Sequence, residues 1–157
     1  MKNVVIIMGS KADKGHARDI KKLIESVGGR TVLRIASAHK TPEKVLGIIK
    51  EYESEAAVFI TVAGMSNALS GFVDANTVRP VIACPPLSDK FGGMDILSSL
   101  RMPSGVSPMT VLGASQGALA ALKIMANNDE KIAEGVALFQ KENRARIEKD
   151  DAEEQDG

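Results

Sequence analysis

A histidine followed directly by a lysine, set between a β-rich run and a helix start, offers proton transfer beside an anion site. The segment is Arg34-Ile-Ala-Ser-Ala-His-Lys-Thr-Pro-Glu43. Imidazole exchanges protons near neutral pH, so His39 is a candidate general base or acid. Lys40 adds a point charge that suits a phosphate, and Ser37 adds a hydroxyl. The competing reading is a surface histidine bonded to backbone, and this segment alone gives the two even weight.

Three other short segments carry usable groups. Gly9-Ser10-Lys11-Ala12-Asp13 combines a glycine turn with a hydroxyl and a carboxylate at a helix start. Amides and Ser10 there suit a phosphate, and Asp13 suits ribose hydroxyls. The glycine and lysine spacings of dinucleotide and Walker loops are missing, and Ser10 or Asp13 serving only as a helix cap is an equal alternative. Gly64-Met65-Ser66-Asn67-Ala68 nearly matches a nucleophile elbow. That reading needs a later histidine, and the chain has none beyond His39. Amide and hydroxyl donors from Gly64 and Ser66 facing a carboxylate or ring are the better use, with an asparagine helix cap as the plain alternative. Cys84-Pro85-Pro86 presents a thiol directly after a buried strand without a sequence-local base, which favours an inert buried cysteine. His16, near the start of the first helix, is expected to be exposed. No His/Asp/Glu spacing resembles a metal site. Phosphoacceptor receiver domains are also excluded, since Met8-Gly9 and Ala63-Gly64 stand where they need acids.

These loops must be held by regular elements, and the patterning supplies them. Val4 to Met8 is a continuous apolar run, the mark of a strand covered on both faces. Ala17, Ile20, Leu23, Ile24 and Val27 follow at helical spacing, and Gly28-Gly29 stops that helix. A strand over 31–36 leads through the His39 loop to a helix carrying Val45, Ile48 and Ile49. Thr41-Pro42-Glu43 opens that helix with a hydroxyl at the N-cap, proline at N1 and an acid in the first turn. Strands over 57–63, 81–84 and 109–112 follow, with a small-residue helix after the third strand and an Ala-rich helix over 115–127 after the fifth. Strand–helix alternation of this kind predicts an α/β fold, a three-layer αβα sandwich on a parallel, flavodoxin- or Rossmann-like sheet. In such sheets the strand-to-helix loops are where ligands bind.

Two stretches stand outside the alternation. The segment from Pro85 to Pro108 has no clear periodicity and exceeds ordinary connection lengths, which points to function or an interface. The chain after Asp129 has helical spacing at Ile132, Val136 and Phe139, then from about 145 to 157 becomes so charged that a frayed, solvated tail is expected. Gly117-Ala-Leu-Ala-Ala121 lets backbones approach closely, within or between subunits.

Composition closes off other classes. The 157 residues fit a single domain, 1–157, with 44% hydrophobic and 25% charged residues. Twenty basic residues balance twenty acidic ones, so no net field draws the chain to nucleic acid or anionic lipid. With no Trp, one Tyr and four Phe, a base-stacking platform is absent. A lone cysteine excludes an internal disulfide or a Cys-rich metal cage. No apolar run reaches the ~20 residues of a membrane span. The apolar stretch at the start stops at Gly9 without a cleavage site and reads as a strand, so a cytoplasmic location is expected.

Taken together, the loops resemble the phosphoribosylaminoimidazole carboxylase family of purine biosynthesis. The matching segments are Met8-Gly-Ser-Lys-Ala-Asp13, Ser37-Ala-His-Lys40, Ala63-Gly-Met-Ser-Asn-Ala-Leu-Ser-Gly71, Ala83-Cys-Pro-Pro86 and Ser98-Ser-Leu-Arg-Met-Pro-Ser-Gly105. They occur in order over about residues 3–128. The resemblance implies His39 as proton shuttle at C4 of an aminoimidazole ribonucleotide. Ser10, Asp13, Ser37 and Lys40 would hold the ribose phosphate, and Gly64 and Ser66 would line a CO2 pocket. It implies no metal, biotin or ATP, and a homo-oligomer, an octamer, with sites built between subunits.

One branch of that family is a mutase acting on the N5-carboxyamino isomer, with Ser-Ala-His-Arg and a Gly-Ala-Ala-His-Leu-Pro loop. The other carboxylates aminoimidazole ribonucleotide with CO2 directly. Lys40 and Ser66-Asn67-Ala68-Leu69-Ser70 resemble the second, as do Cys84-Pro85-Pro86 and Ser98-Ser99-Leu100. Two residues depart from it: Met65 stands where direct carboxylases usually carry arginine, and Ala12 where serine or threonine is frequent. A direct carboxylase, a lyase, is therefore expected, with the mutase as the alternative enzyme and a non-catalytic nucleotide-binding module as the alternative of another class.

Overall fold

The computed structural model describes residues 2–155. Strands β1 (Asn3–Met8), β2 (Arg30–Ile35), β3 (Ala56–Val62), β4 (Val81–Ala83) and β5 (Met109–Thr110) form one parallel sheet, in the order β2-β1-β3-β4-β5. Helices α1 (Lys14–Ser26), α2 (Pro42–Tyr52), α3 (Ala68–Asp74), α4 (Leu97–Leu100), α5 (Ala114–Ala126) and α6 (Glu130–Gln155) complete the expected αβα, flavodoxin-like arrangement.

Alternation along the strands builds both hydrophobic layers. Val4, Ile6, Val58, Ile60 and Ile82 face Ala17, Ile20 and Ile24 of α1 and Ala118, Ala121 and Leu122 of α5. Their neighbours Val5, Ile7, Phe59 and Val81 face Val45, Ile48 and Ile49 of α2 and Leu69 and Val73 of α3. Residues of both sets are fully or almost fully buried, which is why β1 reads as an unbroken apolar run.

Register decides where the chemistry can be. Met8 pairs with Ile35 on one side and with Val62 on the other. Strands β2, β1 and β3 therefore end level, and the loops after them leave from one edge of the sheet. Chain order reverses direction between β1 and β3, which opens a crevice at their carboxyl ends.

Several expectations need correction. The fifth strand is only Met109–Thr110, pairing with Ile82 and Ala83 of β4, rather than 109–112. Thr41 stands at the N-cap of α2, but its hydroxyl makes no cap bond and closes the preceding loop instead. The helix α6 runs on to Gln155 through the stretch expected to fray from about 145. Its sequence there is rich in Ala, Glu, Lys and Arg, strong helix formers, and side chains pair at i,i+4. Lys149 meets Glu153 at 3.4 Å, and Gln155 donates to Asp151 at 2.8 Å. The stretch is exposed, as expected; residues 156 and 157 of that expected tail lie outside the described residues. The close approach expected of the small-residue stretch occurs within the chain: Gly117 backs onto Cys84 at the end of β4, and Ala118 and Ala121 are buried between α5, the sheet and α1. Among the described residues, no helix is long and apolar enough to cross a membrane.

Candidate active site

The three level strand ends feed one cavity of about 630 Å³. Ser10 and Asp13 come from the loop after β1, Ser37, His39 and Lys40 from that after β2, and Gly64 and Ser66 from that after β3. All seven residues singled out by sequence thus line the same cavity. Their roles there rest on chemistry, loop by loop.

After β1, the backbone turns through a single 3-10 turn, Lys11–Asp13, closed by a reciprocal cap. Ser10 N–H donates to Asp13 Oδ2 at 2.8 Å and the Ser10 hydroxyl donates to the same oxygen at 3.1 Å, while Ala12 N–H donates to Ser10 Oγ at 3.2 Å. Both sequence readings therefore meet in one place: the pair caps its turn and also faces the cavity. To bind a phosphate, Ser10 must turn its proton away from Asp13. Asp13 has Oδ1 left for a ligand.

After β2, the chain closes a tight loop on itself. Thr41 N–H donates to Ser37 O at 2.8 Å, Ser37 N–H to Thr41 Oγ1 at 3.0 Å and Lys40 N–H to Ser37 Oγ at 3.3 Å. Backbone groups and the Thr41 hydroxyl hold the loop, the Ser37 hydroxyl accepts within it and keeps its own proton for a ligand, and the His39 and Lys40 side chains are exposed at its tip. No hydrogen bond to the His39 ring occurs among the described residues, so the competing backbone-bonded reading does not describe this histidine. Its imidazole is available to a ligand.

After β3, Met65 takes a left-handed backbone conformation, φ 57°, uncommon for a residue with a side chain. A buried polar cluster fixes the chain beyond it. Asn67 Oδ1 accepts from Ser70 N–H at 3.2 Å, capping α3 as expected of an asparagine there. Asn67 Nδ2 donates to Ser70 Oγ at 2.6 Å and Ser99 Oγ at 2.9 Å, and Thr61 donates to Ser70 Oγ at 2.9 Å. Ser98 Oγ accepts from Asn67 N–H at 2.9 Å. With its polar atoms satisfied inside the fold, this network holds the loop rigidly.

Sequence reasoning missed part of the wall. Leu87, Ser88, Asp89, Lys90 and Asp95 also line the cavity. The length of the segment from Pro85 to Pro108 marked it as functional, but nothing in its sequence singled out those residues. A smaller chamber of about 240 Å³ adjoins at Gly64, Pro86 and Asp95 and is walled largely by apolar groups, among them Pro85, Ile96 and Leu112.

Cys84 and His16 lie apart from the cavity wall. Cys84 is fully buried, as expected, and burial pushes its thiol up to about 11. His16 is half-buried rather than exposed, because α1 turns that face onto the end of β4. Desolvation holds its imidazole below the ordinary 6.5, and the charges of Asp19 and Asp13 oppose that only in part. Among the described residues there is no cluster of three or more His, Cys, Asp or Glu that could hold a metal ion.

A proton carrier, a cation and hydroxyls thus converge on one open crevice, a layout that suits a phosphorylated ligand. The sequence profile described as AIR carboxylase matches residues 3–146. The chain belongs to the AIR carboxylase family. It is 62% identical over 149 residues to a phosphoribosylaminoimidazole carboxylase of Archaeoglobus fulgidus, covering 95% of this chain and 83% of that protein. A protein of the same description from Treponema denticola is 48% identical over 151 residues, with 95% of each chain covered. The crystal structure of Treponema denticola PurE superposes with a TM-score of 0.94 at 46% identity, over 98% of both chains. This AIR carboxylase-family chain thus shares its whole architecture, including the long segment that closes the cavity wall, with a solved relative.

Proposed function

We propose that this enzyme of purine biosynthesis carboxylates 5-aminoimidazole ribonucleotide directly with CO2, giving the 4-carboxy product. The observation that carries the reading is the convergence of His39, Lys40 and the Gly64–Ser66 turn on one cavity from three level strand ends. The aminoimidazole ring is enamine-like, so C4 is itself the nucleophile. It attacks the CO2 carbon, forming the C4–carboxylate bond and leaving C4 tetrahedral with its proton still attached. His39 removes that proton, the C–H pair returns to the ring and aromaticity is restored; the reverse reaction returns the proton to C4. Lys40 and Ser37 take the phosphate, with Ser10 once its proton turns, and Asp13 Oδ1 takes a ribose hydroxyl. CO2 is neutral and weakly bound, so a dry pocket floored by Gly64 and Ser66 must hold it against the ring.

The loop after β3 favours direct use of CO2 over the mutase. The mutase loop Gly-Ala-Ala-His-Leu-Pro carries a histidine before its leucine, whereas Ala68 precedes Leu69 here. Met65 favours the mutase reading, since it removes the arginine that direct carboxylases place beside the nascent carboxylate. The assembly is a cytoplasmic homo-octamer. Leu87, Phe91 and Met94 of the long segment, exposed at 82%, 73% and 62%, suit a subunit contact.

His39→Asn separates an enzyme from a nucleotide-binding module. Ribonucleotide binding should persist while turnover falls by about 10²–10⁴-fold, the usual worth of a positioned proton carrier. Unchanged turnover would remove His39 from the reaction.

A further inference from the structure

We infer that Asp95 is a positioning residue for the reaction: its carboxylate locks Met65 in the left-handed conformation that shapes the CO2-facing turn. The inference rests on the carboxylation reading for what the turn does, but not for the lock itself.

Met65 is one of two non-glycine residues with positive φ among the described residues, and it sits between Gly64 and Ser66 in the cavity wall. A side chain at this φ costs free energy, and such strain persists only where the surroundings impose it. Here both polar groups of the residue are held from one turn of the distant segment. Met65 N–H donates to Asp95 Oδ2 at 3.2 Å. The Ser98 hydroxyl lies 2.9 Å from Met65 O and 2.8 Å from Asp95 O, sharing its proton between them, and accepts Asn67 N–H. Asp95 and Ser98 are three residues apart, so one helical turn grips residues 65 to 67 from the side. Asp95 Oδ2 also stands 3.9 Å from where a Cβ on Gly64 would be. Its carboxylate therefore borders both the main cavity and the smaller apolar chamber.

The chemistry gives that grip a purpose. A turn that presents backbone and a serine hydroxyl to a small neutral molecule must be set before the molecule arrives, because CO2 offers little binding energy to set it. A carboxylate acceptor on an amide is among the stronger hydrogen bonds. A glycine at position 65 would adopt this conformation unaided, so methionine makes the turn depend on Asp95. The dependence can be read out.

The test combines Asp95→Ala, Asp95→Asn and Met65→Gly, singly and together, in the full-length protein. Asp95→Ala should lower the kcat/KM for CO2 about tenfold or more, the population shift expected when a left-handed residue loses its support. Ribonucleotide affinity by calorimetry should stay within about twofold. Asp95→Asn keeps an acceptor oxygen and should recover most of the loss. In the Met65→Gly background, adding Asp95→Ala should cost less than about twofold. An equal loss in both backgrounds overturns the proposal, as does an Asp95→Asn variant as poor as Asp95→Ala, or a matching loss of ribonucleotide affinity. The Met65 amide proton, followed by NMR, reads the lock without turnover. It should move upfield in Asp95→Ala, and an unmoved resonance overturns the lock. A wild-type protein that incorporates no CO2 contradicts the proposed reaction instead, so the two failures are distinct.

Discussion

His16 Nε2 lies 3.4 Å from Cys84 Sγ, joining the first turns of α1 to the end of β4 across 68 residues of sequence. The thiol in turn lies 3.4 Å from the Gly113 carbonyl and donates to it. Neither partner is ionised for chemistry: burial raises the thiol to about 11 and lowers the imidazole. The pair is a packed, neutral contact between α1 and the end of β4.

That neutrality predicts acid sensitivity. The folded-state pKa of His16 lies below its ordinary 6.5, so the unfolded chain takes up the proton first. The contribution to stability is complete above 6.5 and is lost as pH falls from there toward the folded value. Urea midpoints measured between pH 7.5 and 5 should therefore decline, and His16→Gln should flatten the decline. A wild-type midpoint indifferent to pH across that window would contradict the assignment.

Gly117 should tolerate no side chain. A Cβ there would meet Cys84 Sγ at 2.6 Å and Cys84 Cβ at 3.2 Å, with the helix backbone unable to yield. Gly117→Ala should cost about 1–3 kcal/mol by denaturant unfolding, the usual cost of overpacking. Most of that cost should disappear when Cys84→Ala is added, since the sulfur is the obstacle. An undiminished cost in the double variant would place the obstruction elsewhere.

Lys40→Ala should weaken ribonucleotide binding about tenfold or more, the worth of one charge-assisted hydrogen bond. Binding of the corresponding nucleoside, which lacks the phosphate, should change little. Calorimetry on both ligands decides it, and equal losses would remove Lys40 from the phosphate.

Seven of the cavity residues were legible in the sequence because strong strand and helix periodicities leave the loops between them well defined and the loop motifs resemble those of a known family. Val4 to Met8 is an unbroken apolar run and Ala56 to Val62 is apolar apart from Thr61, so Gly9 and Gly64 had to begin exit loops. What stayed hidden depends on contacts between remote positions. Asp95 meets Met65 across 30 residues, and Ser99 meets Asn67 across 32, from a segment with no period to read. His16 looked exposed because its partner, Cys84, belongs to another strand. The end of α6 is hard to read for a different reason: high charge marks solvation, but alanine, glutamate and lysine also form helix without a core.

The source of the carboxyl group is the central question, and one kinetic experiment addresses it. With 5-aminoimidazole ribonucleotide held fixed, initial rates of 4-carboxy product formation are measured against dissolved CO2, beside a parallel series supplied with the N5-carboxyamino isomer. Direct carboxylation predicts a rate that rises with CO2, and no consumption of the isomer beyond its spontaneous decay. Saturable consumption of the isomer with no dependence on CO2 would contradict the account and establish the mutase.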